Sequence, residues 1–219
     1  MGEMIQLKTA DAHVMTAYRA EPEHPPKGGI IILQEIFGLT DHICRVTDEF
    51  AAHGYLTLAP SLFDRVEPGV ILDYTEIDRG REFMQKLDLD QTVTDMSAAA
   101  AAVRHAGKVG AVGFCWGGAL ADLAACRIGV ESAVAYYGRM IVEWLDLKPT
   151  CPVMYHFGDK DPLIPAETVA KIRAARDKGI FHTYPNAGHG FNCDERADFH
   201  AGSAALAMER TLDFLEQTL

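Results

Sequence analysis

A cysteine between two glycines is the first feature of this sequence that could do chemistry. Cys115 has Gly113 two residues before it and Gly117 two residues after it, where an apolar run meets an Ala/Leu-rich segment. This Gly-x-Cys-x-Gly spacing is typical of a nucleophile elbow, a strained strand-to-helix turn whose neighbours must lack side chains. A thiol there stands at a helix N-terminus, which favours thiolate. A buried core thiol is the alternative, and the pentapeptide alone does not decide.

An acid and a histidine follow the cysteine in the order that an elbow enzyme needs. The segment VMYHFGDKDPLIP predicts a strand followed by Asp159 and Asp161, and FHTYPNAGHGFN predicts a strand followed by His189. We prefer Asp161 because it lies farther beyond the strand end and is fixed by Pro162, whereas Asp159 resembles a turn former. The sequence therefore predicts a catalytic triad of Cys115, Asp161 and His189. Alone, His189 would be read as a surface histidine in a glycine-rich turn.

Strands that alternate with helices must position these residues. The pattern predicts an α/β fold, with a mostly parallel sheet of about eight strands covered by helices on both faces. An antiparallel hairpin is expected first, and continuous apolar runs predict buried strands after it. The expected strands are 5–8, 13–19, 29–34, 55–60, 109–113, 133–136, 153–157 and 180–184, and the expected helices are 41–53, 79–87, 91–105, 116–126, 166–178 and 201–219.

Composition limits the function classes. With 219 residues, 48% of them hydrophobic, the chain can bury one substantial core, which predicts a single domain over residues 1–219. Uninterrupted apolar runs are too short for a membrane span, and the N-terminus lacks the composition of a secretory signal. The net charge is −11 without a basic cluster. We therefore expect neither nucleic-acid nor membrane binding.

The cysteines and histidines predict an intracellular protein without a metal. The five cysteines are odd in number, lack a CxxC pair and have no disulfide-framework spacing, which favours reduced thiols in the cytoplasm. The nine histidines include no HExxH motif. We expect no metal and no cofactor.

Five segments together closely resemble the dienelactone hydrolase (carboxymethylenebutenolidase) family of the α/β-hydrolase superfamily. They are LQEIFG, GFCWGGALA, FGDKDPLIP, AGHGF and ALAMERTLDFL, and the likeness runs from about residue 29 to the C-terminus. The resemblance implies hydrolysis of a small ester or lactone through an acyl-enzyme on Cys115. It also implies that Glu35 holds the resting thiol and becomes its proton acceptor. The backbone N–H groups of Ile36 and Trp116 would form the oxyanion hole. A solvent-facing strand-end glutamate is the alternative for Glu35.

The resemblance is weakest at the substrate. The family holds a substrate carboxylate with two arginines, and Arg81 matches the first of them. The position of the second is Cys193 here, and Arg196 lies three residues beyond it. The alternative for Arg81 is a pair with an acidic neighbour such as Asp78 on a solvated helix.

Three aromatic residues, Phe37, Phe63 and Phe191, are also predicted to contact the substrate, and Phe63 stands where the family's type enzymes have tyrosine. These differences weigh more against dienelactone as the substrate than against hydrolysis as the reaction.

Other functions stay open. The first alternative keeps the mechanism but uses a general small ester or thioester, and the second is a non-catalytic domain that binds a small ligand. A thiol redox sensor using Cys115 and Cys193 has less support, because no CxxC occurs. We expect a small-molecule ester or lactone that can carry a carboxylate, and a monomer or small homo-oligomer.

Overall fold

A computed structural model describes residues 1–219, and strands alternate with helices along most of the chain. Residue contacts divide the chain into two units, 1–110 and 111–219. The predicted class, an α/β fold with a mostly parallel sheet of about eight strands, is confirmed, since the sheet has eight strands. The single domain predicted over residues 1–219 stays a prediction. None of the helices has both the length and the apolar character needed to cross a membrane.

The first unit begins with the predicted hairpin. Strands β1 (Glu3–Lys8) and β2 (Val14–Ala20) pair antiparallel, and β2 also pairs antiparallel with β4 (Leu56–Pro60). Strand β3 (Gly29–Leu33) is buried along its whole length and runs parallel to β4. The order in this unit is therefore β1-β2-β4-β3. Parallel pairing begins only at β3, where the sequence changes from alternating to continuously apolar residues.

The first unit also contains three helices. Helix α1 (Asp41–Ala52) is capped by Thr40, whose hydroxyl accepts the backbone N–H of Ile43. The helix buries an apolar face against β4. Helices α2 (Ile77–Lys86) and α3 (Leu89–Val103) come next, and α3 packs on β3 and β4. The Asp88 carboxylate caps α3. All three helices lie within a few residues of their predicted positions.

The second unit carries the predicted chemistry. Strand β5 (Val109–Phe114) leads into it, and β6, β7 and β8 pair parallel in sequence order, so their carboxyl ends lie along one edge. Residues that follow those ends are thereby brought near one another. The other elements are α4 (Trp116–Arg127), β6 (Ser132–Tyr136), β7 (Val153–Gly158), α5 (Ala166–Ala175), β8 (Ile180–Tyr184) and α6 (Ala201–Thr218).

Helix α5 ends three residues earlier than the sequence predicts. Its end is set by Arg176, which turns inward, and the Arg176 Nε and Nη2 atoms each lie 2.8 Å from an oxygen of Asp122 on α4. Both side chains are buried. The remaining guanidinium hydrogens are donated to backbone carbonyls of the loop before β7, those of Leu145 and Leu147 among them. The helical pattern extends to Lys178, but this buried ion pair ends the helix sooner.

Candidate active site

The turn between β5 and α4 has the geometry of a nucleophile elbow. Cys115 adopts φ 56° and ψ −113°, a left-handed backbone that is strained for a residue other than glycine. A Cβ atom on Gly113 would overlap the backbone of Gly117, and one on Gly118 would overlap the carbonyl of Tyr136. The glycines are therefore required for the chain to turn this sharply.

Backbone hydrogen bonds hold the elbow in place. The Cys115 N–H donates to the carbonyl of Tyr136, the last residue of β6, at 3.0 Å. The Cys115 carbonyl accepts from Ala119 at 3.3 Å in the first turn of α4. The Cys115 side chain is only partly buried. The thiol is thus presented at a helix N-terminus with some access to solvent.

The two acids after β7 have different partners. One carboxylate oxygen of Asp161 accepts the N–H of Leu163 at 2.8 Å, which fixes its orientation. Asp159 instead accepts the N–H of Asn186 at 2.7 Å and joins two loops. Asp159 thus bonds a turn residue in a neighbouring loop, whereas the role of Asp161 as the functional acid stays a prediction.

His189 lies between Asp161 and Cys115. Its Nδ1 atom is 2.7 Å from Asp161 Oδ2, and its Nε2 atom is 3.1 Å from Cys115 Sγ. Asp161 and His189 are only 4% and 5% exposed, so water screens their interaction little. With Asp161 ionised, Nδ1–H donates to the carboxylate and Nε2 faces the sulfur. The three residues predicted from the order of motifs are therefore joined in one hydrogen-bonded line.

The electrostatic environment favours a charged His189. Burial alone lowers its pKa, but the negative charge on Cys115 and the hydrogen bonds to Asp161 and Cys115 outweigh burial and raise the pKa to about 10. His189 is therefore held as an imidazolium whenever Cys115 carries the negative charge of a thiolate. The thiolate is the nucleophilic form of cysteine.

The aromatic ring of Tyr137 lies beside His189, which the sequence did not predict. Tyr137 follows β6 with φ 39°, and its buried ring lies 5.3 Å from the His189 ring between centroids. Phe191, predicted to contact substrate, is also buried, with its ring 5.4 Å from Tyr137 and 5.1 Å from Tyr184. The Tyr-Tyr-Gly sequence at a strand end was the available signal for Tyr137.

Other predicted site residues lie in the first unit. Glu35 and Phe37 are buried directly after β3, and Phe37 contacts Tyr74 edge-on at 4.8 Å. Phe63 is buried with its ring 5.3 Å from Phe83. Their roles, and that of the Ile36 backbone, stay predictions.

The arginines differ in their surroundings. Arg81 is about half exposed and pairs with Asp78 at 3.0 Å, the arrangement that the sequence analysis gave as the alternative. Cys193 is fully buried. Arg196 lies against Gly190, since a Cβ atom there would come within 2.6 Å of the guanidinium. Arg196 is thus placed one residue from His189, which the sequence could not show.

Comparison with protein families matches residues 15–219 to the dienelactone hydrolase family. The carboxymethylenebutenolidase of Pseudomonas putida is 36% identical, with 97% of this chain and 95% of that protein covered.

Two solved structures superpose on nearly the whole chain. A candidate dienelactone hydrolase from Klebsiella pneumoniae superposes with a TM-score of 0.86 at 30% identity, over 99% of this chain and 98% of that one. An α/β serine hydrolase homologue from Coxiella burnetii superposes with a TM-score of 0.70 at 16% identity, over 97% of both chains. The second likeness concerns the fold alone.

Proposed function

Because the chain belongs to the dienelactone hydrolase family of hydrolases, we propose that it hydrolyses a small carboxylic ester or lactone through a Cys115 acyl-enzyme. The observation that carries the proposal is the line from Asp161 through His189 to Cys115, with Nε2 3.1 Å from Sγ. A sulfur, a base and an orienting acid within hydrogen-bond reach are the parts that nucleophilic catalysis requires. Both the strain at the elbow and the raised pKa of His189 support it.

The reaction follows from these positions. The Cys115 thiolate attacks the ester carbonyl and forms a carbon–sulfur bond, while the carbonyl π pair moves onto oxygen. As the tetrahedral intermediate collapses, the carbon–oxygen bond breaks and His189 protonates the departing alcohol or enol through Nε2. A water molecule then attacks the thioester and gives its proton to neutral His189. The carboxylic acid leaves, and the thiolate–imidazolium pair is restored.

Two further groups are proposed to serve the thiol and the oxyanion. The backbone N–H groups of Trp116 and Ile36 would stabilise the negative oxygen, and a lost donor of this kind typically costs on the order of 3–4 kcal/mol in the barrier. Glu35 is proposed as the proton acceptor that releases the resting thiol. Glu35→Gln should slow acylation more than it raises KM, and should slow alkylation by iodoacetamide. Unchanged rates of both would make Glu35 a structural residue.

Substrate identity is proposed only by class. The sequence predicts an ester or lactone that can carry a carboxylate, with a general small ester or thioester as the alternative. Arg81, Phe37, Phe63 and Phe191 are the proposed substrate contacts. A cofactor-free reaction, a cytoplasmic location, and a monomer or small homo-oligomer likewise stay predictions.

The test is hydrolysis of p-nitrophenyl acetate by the wild type and cysteine variants. Cys115→Ala should abolish turnover with the fold intact, and Cys115→Ser should be poor, because the site suits a thiolate rather than an alkoxide. Cys126→Ala is the matched control, since Cys126 lies on the helix that Cys115 precedes and burial raises its pKa to about 11. We expect this control to stay active. Turnover that survives in Cys115→Ala would overturn the thiol mechanism, and no turnover in the wild type would favour a ligand-binding protein.

A further inference from the structure

A buried histidine outside the triad connects the strands that carry it. His156 is fully buried on β7, in register with Tyr136 on β6 and His182 on β8. Its Nδ1 atom lies 2.7 Å from the Tyr184 hydroxyl, and its Nε2 atom lies 3.2 Å from the Thr211 hydroxyl on α6. The Thr211 hydroxyl is 2.7 Å from the Tyr136 hydroxyl. One chain of hydrogen bonds therefore links three strands and α6.

A neutral imidazole suits the position of His156 between two hydroxyl groups. Burial, with His182 and Arg210 nearby, lowers the pKa of His156 well below its ordinary value, so the ring is neutral and has one donor and one acceptor. The Arg210 guanidinium donates to the Tyr184 hydroxyl. One ring nitrogen of His156 therefore donates and the other accepts, so the neutral ring can bond the Tyr184 and Thr211 hydroxyls at the same time.

Three residues of this hydrogen-bonded network also contact the triad or the segments next to it. The backbone carbonyl of Tyr136 accepts the Cys115 N–H at 3.0 Å, and the backbone carbonyl of His156 accepts the Tyr137 N–H at 2.8 Å. The Tyr137 ring in turn lies against His189. The tyrosine at the other end closes β8, immediately before the loop that carries His189. A shift of the His156 ring would therefore be transmitted to both reacting side chains.

We propose that His156 is a positioning residue for the hydrolysis, and that its two hydrogen bonds fix the separation of Cys115 Sγ and His189 Nε2. The inference rests on the proposed function, because it concerns the geometry of that reaction. Reacting groups displaced by about 1 Å can lose roughly 100-fold in rate. His156 itself touches neither the reacting sulfur nor its base, and acts only through the strands.

The most specific test leaves His156 in place and removes the hydroxyl group of Thr211, to which it is bonded. Thr211→Val keeps the shape of the side chain but breaks the links to His156 and to Tyr136, whereas Thr211→Ser keeps the hydroxyl and loses a methyl group. Tyr155→Phe is the matched control. It removes a buried hydroxyl that donates to Asp122 at 2.6 Å. This hydroxyl is outside the hydrogen-bonded network of His156 but lies in the same unit.

We expect Thr211→Val to lower kcat for p-nitrophenyl acetate by roughly 10- to 100-fold with little change in KM. Thr211→Ser should retain kcat within about threefold, and Tyr155→Phe should retain it even where its melting temperature falls. An unchanged kcat in Thr211→Val would overturn the proposal. So would an equal loss of kcat in Tyr155→Phe, because the effect would then be general destabilisation.

Alkylation of Cys115 by iodoacetamide separates this proposal from the proposed function. Its rate at neutral pH, read from the mass of the Cys115 peptide, depends on the thiolate that faces His189 and not on ester turnover. We expect slower alkylation in Thr211→Val and a normal rate in Thr211→Ser. If the wild type hydrolyses no ester but the alkylation difference holds, the proposed function fails and the positioning stands. Equal alkylation in all variants would overturn the positioning.

Discussion

Replacing Asp161 by asparagine tests how the acid sets the state of His189. Asparagine keeps the size of the side chain, and its amide oxygen can still accept the N–H of Leu163. The amide nitrogen would then face Nδ1, which must become an acceptor. The neutral ring then carries its proton on Nε2, so it can no longer accept the proton of the water that attacks the thioester.

The size of the effect follows from the lost hydrogen bond. The contact from Asp161 Oδ2 to His189 Nδ1 is 2.7 Å and joins two buried groups. A hydrogen bond to a charged group contributes about 1.5–3 kcal/mol, which corresponds to roughly 10- to 150-fold in kcat/KM. Asp159→Asn removes the same charge from the same loop and is the control. A loss in Asp161→Asn no larger than in this control would refute the reasoning.

The same substitution should change the pH profile. The hydrogen bond to Asp161 helps to raise the pKa of His189 to about 10, so losing it lowers that pKa. With an alkyl ester, whose alcohol must leave protonated, kcat/KM falls as pH rises through the pKa of the imidazolium. The alkaline limb of Asp161→Asn should therefore lie at lower pH than in the wild type. An alkaline limb that stays in place would contradict the assignment of His189 as the acid.

Three further changes test separate parts of the structure. Gly113→Ala should lower the free energy of unfolding by about 3 kcal/mol or more, because the added Cβ atom overlaps the backbone at the elbow. Gly129→Ala is the control, since Gly129 has φ +68° and open space around it, and it should cost only about 1–2 kcal/mol. Equal costs in urea unfolding would argue against the overlap. In Cys115→Ala, the pKa of His189 followed by NMR should fall, because Cys115 raises it by its charge and by its hydrogen bond; an unchanged pKa would mean that the sulfur does not act on the imidazole. Because Arg81 is half exposed, Arg81→Ala should cost an ester with a free carboxylate only about fivefold relative to its methyl ester, and an unaltered ratio of kcat/KM would move the search for a cation to Arg196.

The positions of the triad residues could be predicted because each follows a strand of simple pattern. Buried parallel strands read as continuous apolar runs, and the residues after their carboxyl ends must meet at one edge of the sheet. That Asp161 rather than Asp159 contacts His189 is the arrangement expected from the longer reach of Asp161 beyond the strand end. The separation of 3.1 Å between Nε2 and Sγ needed the folded structure, because it depends on loop conformation.

Contacts between side chains that are distant in sequence could not be predicted. The sequence places His156 inside an apolar strand, where it resembles an ordinary core residue. Its bond to Thr211 joins residues 55 positions apart, and no local pattern fixes that pairing. The early end of α5 has the same origin, since the pair of Arg176 with Asp122 outweighs the helical pattern. Tertiary contacts override local preference at both places.

Trapping the acyl-enzyme tests the proposed mechanism most directly. With p-nitrophenyl acetate, the good leaving group makes acylation fast, so the thioester should accumulate during the first turnover. After rapid mixing and acid quenching, we expect the peptide that contains Cys115 to carry one acetyl group, with p-nitrophenolate released in a burst equal to the enzyme concentration. Release of acetate with no acetyl group on Cys115 at any time would contradict a cysteine acyl-enzyme.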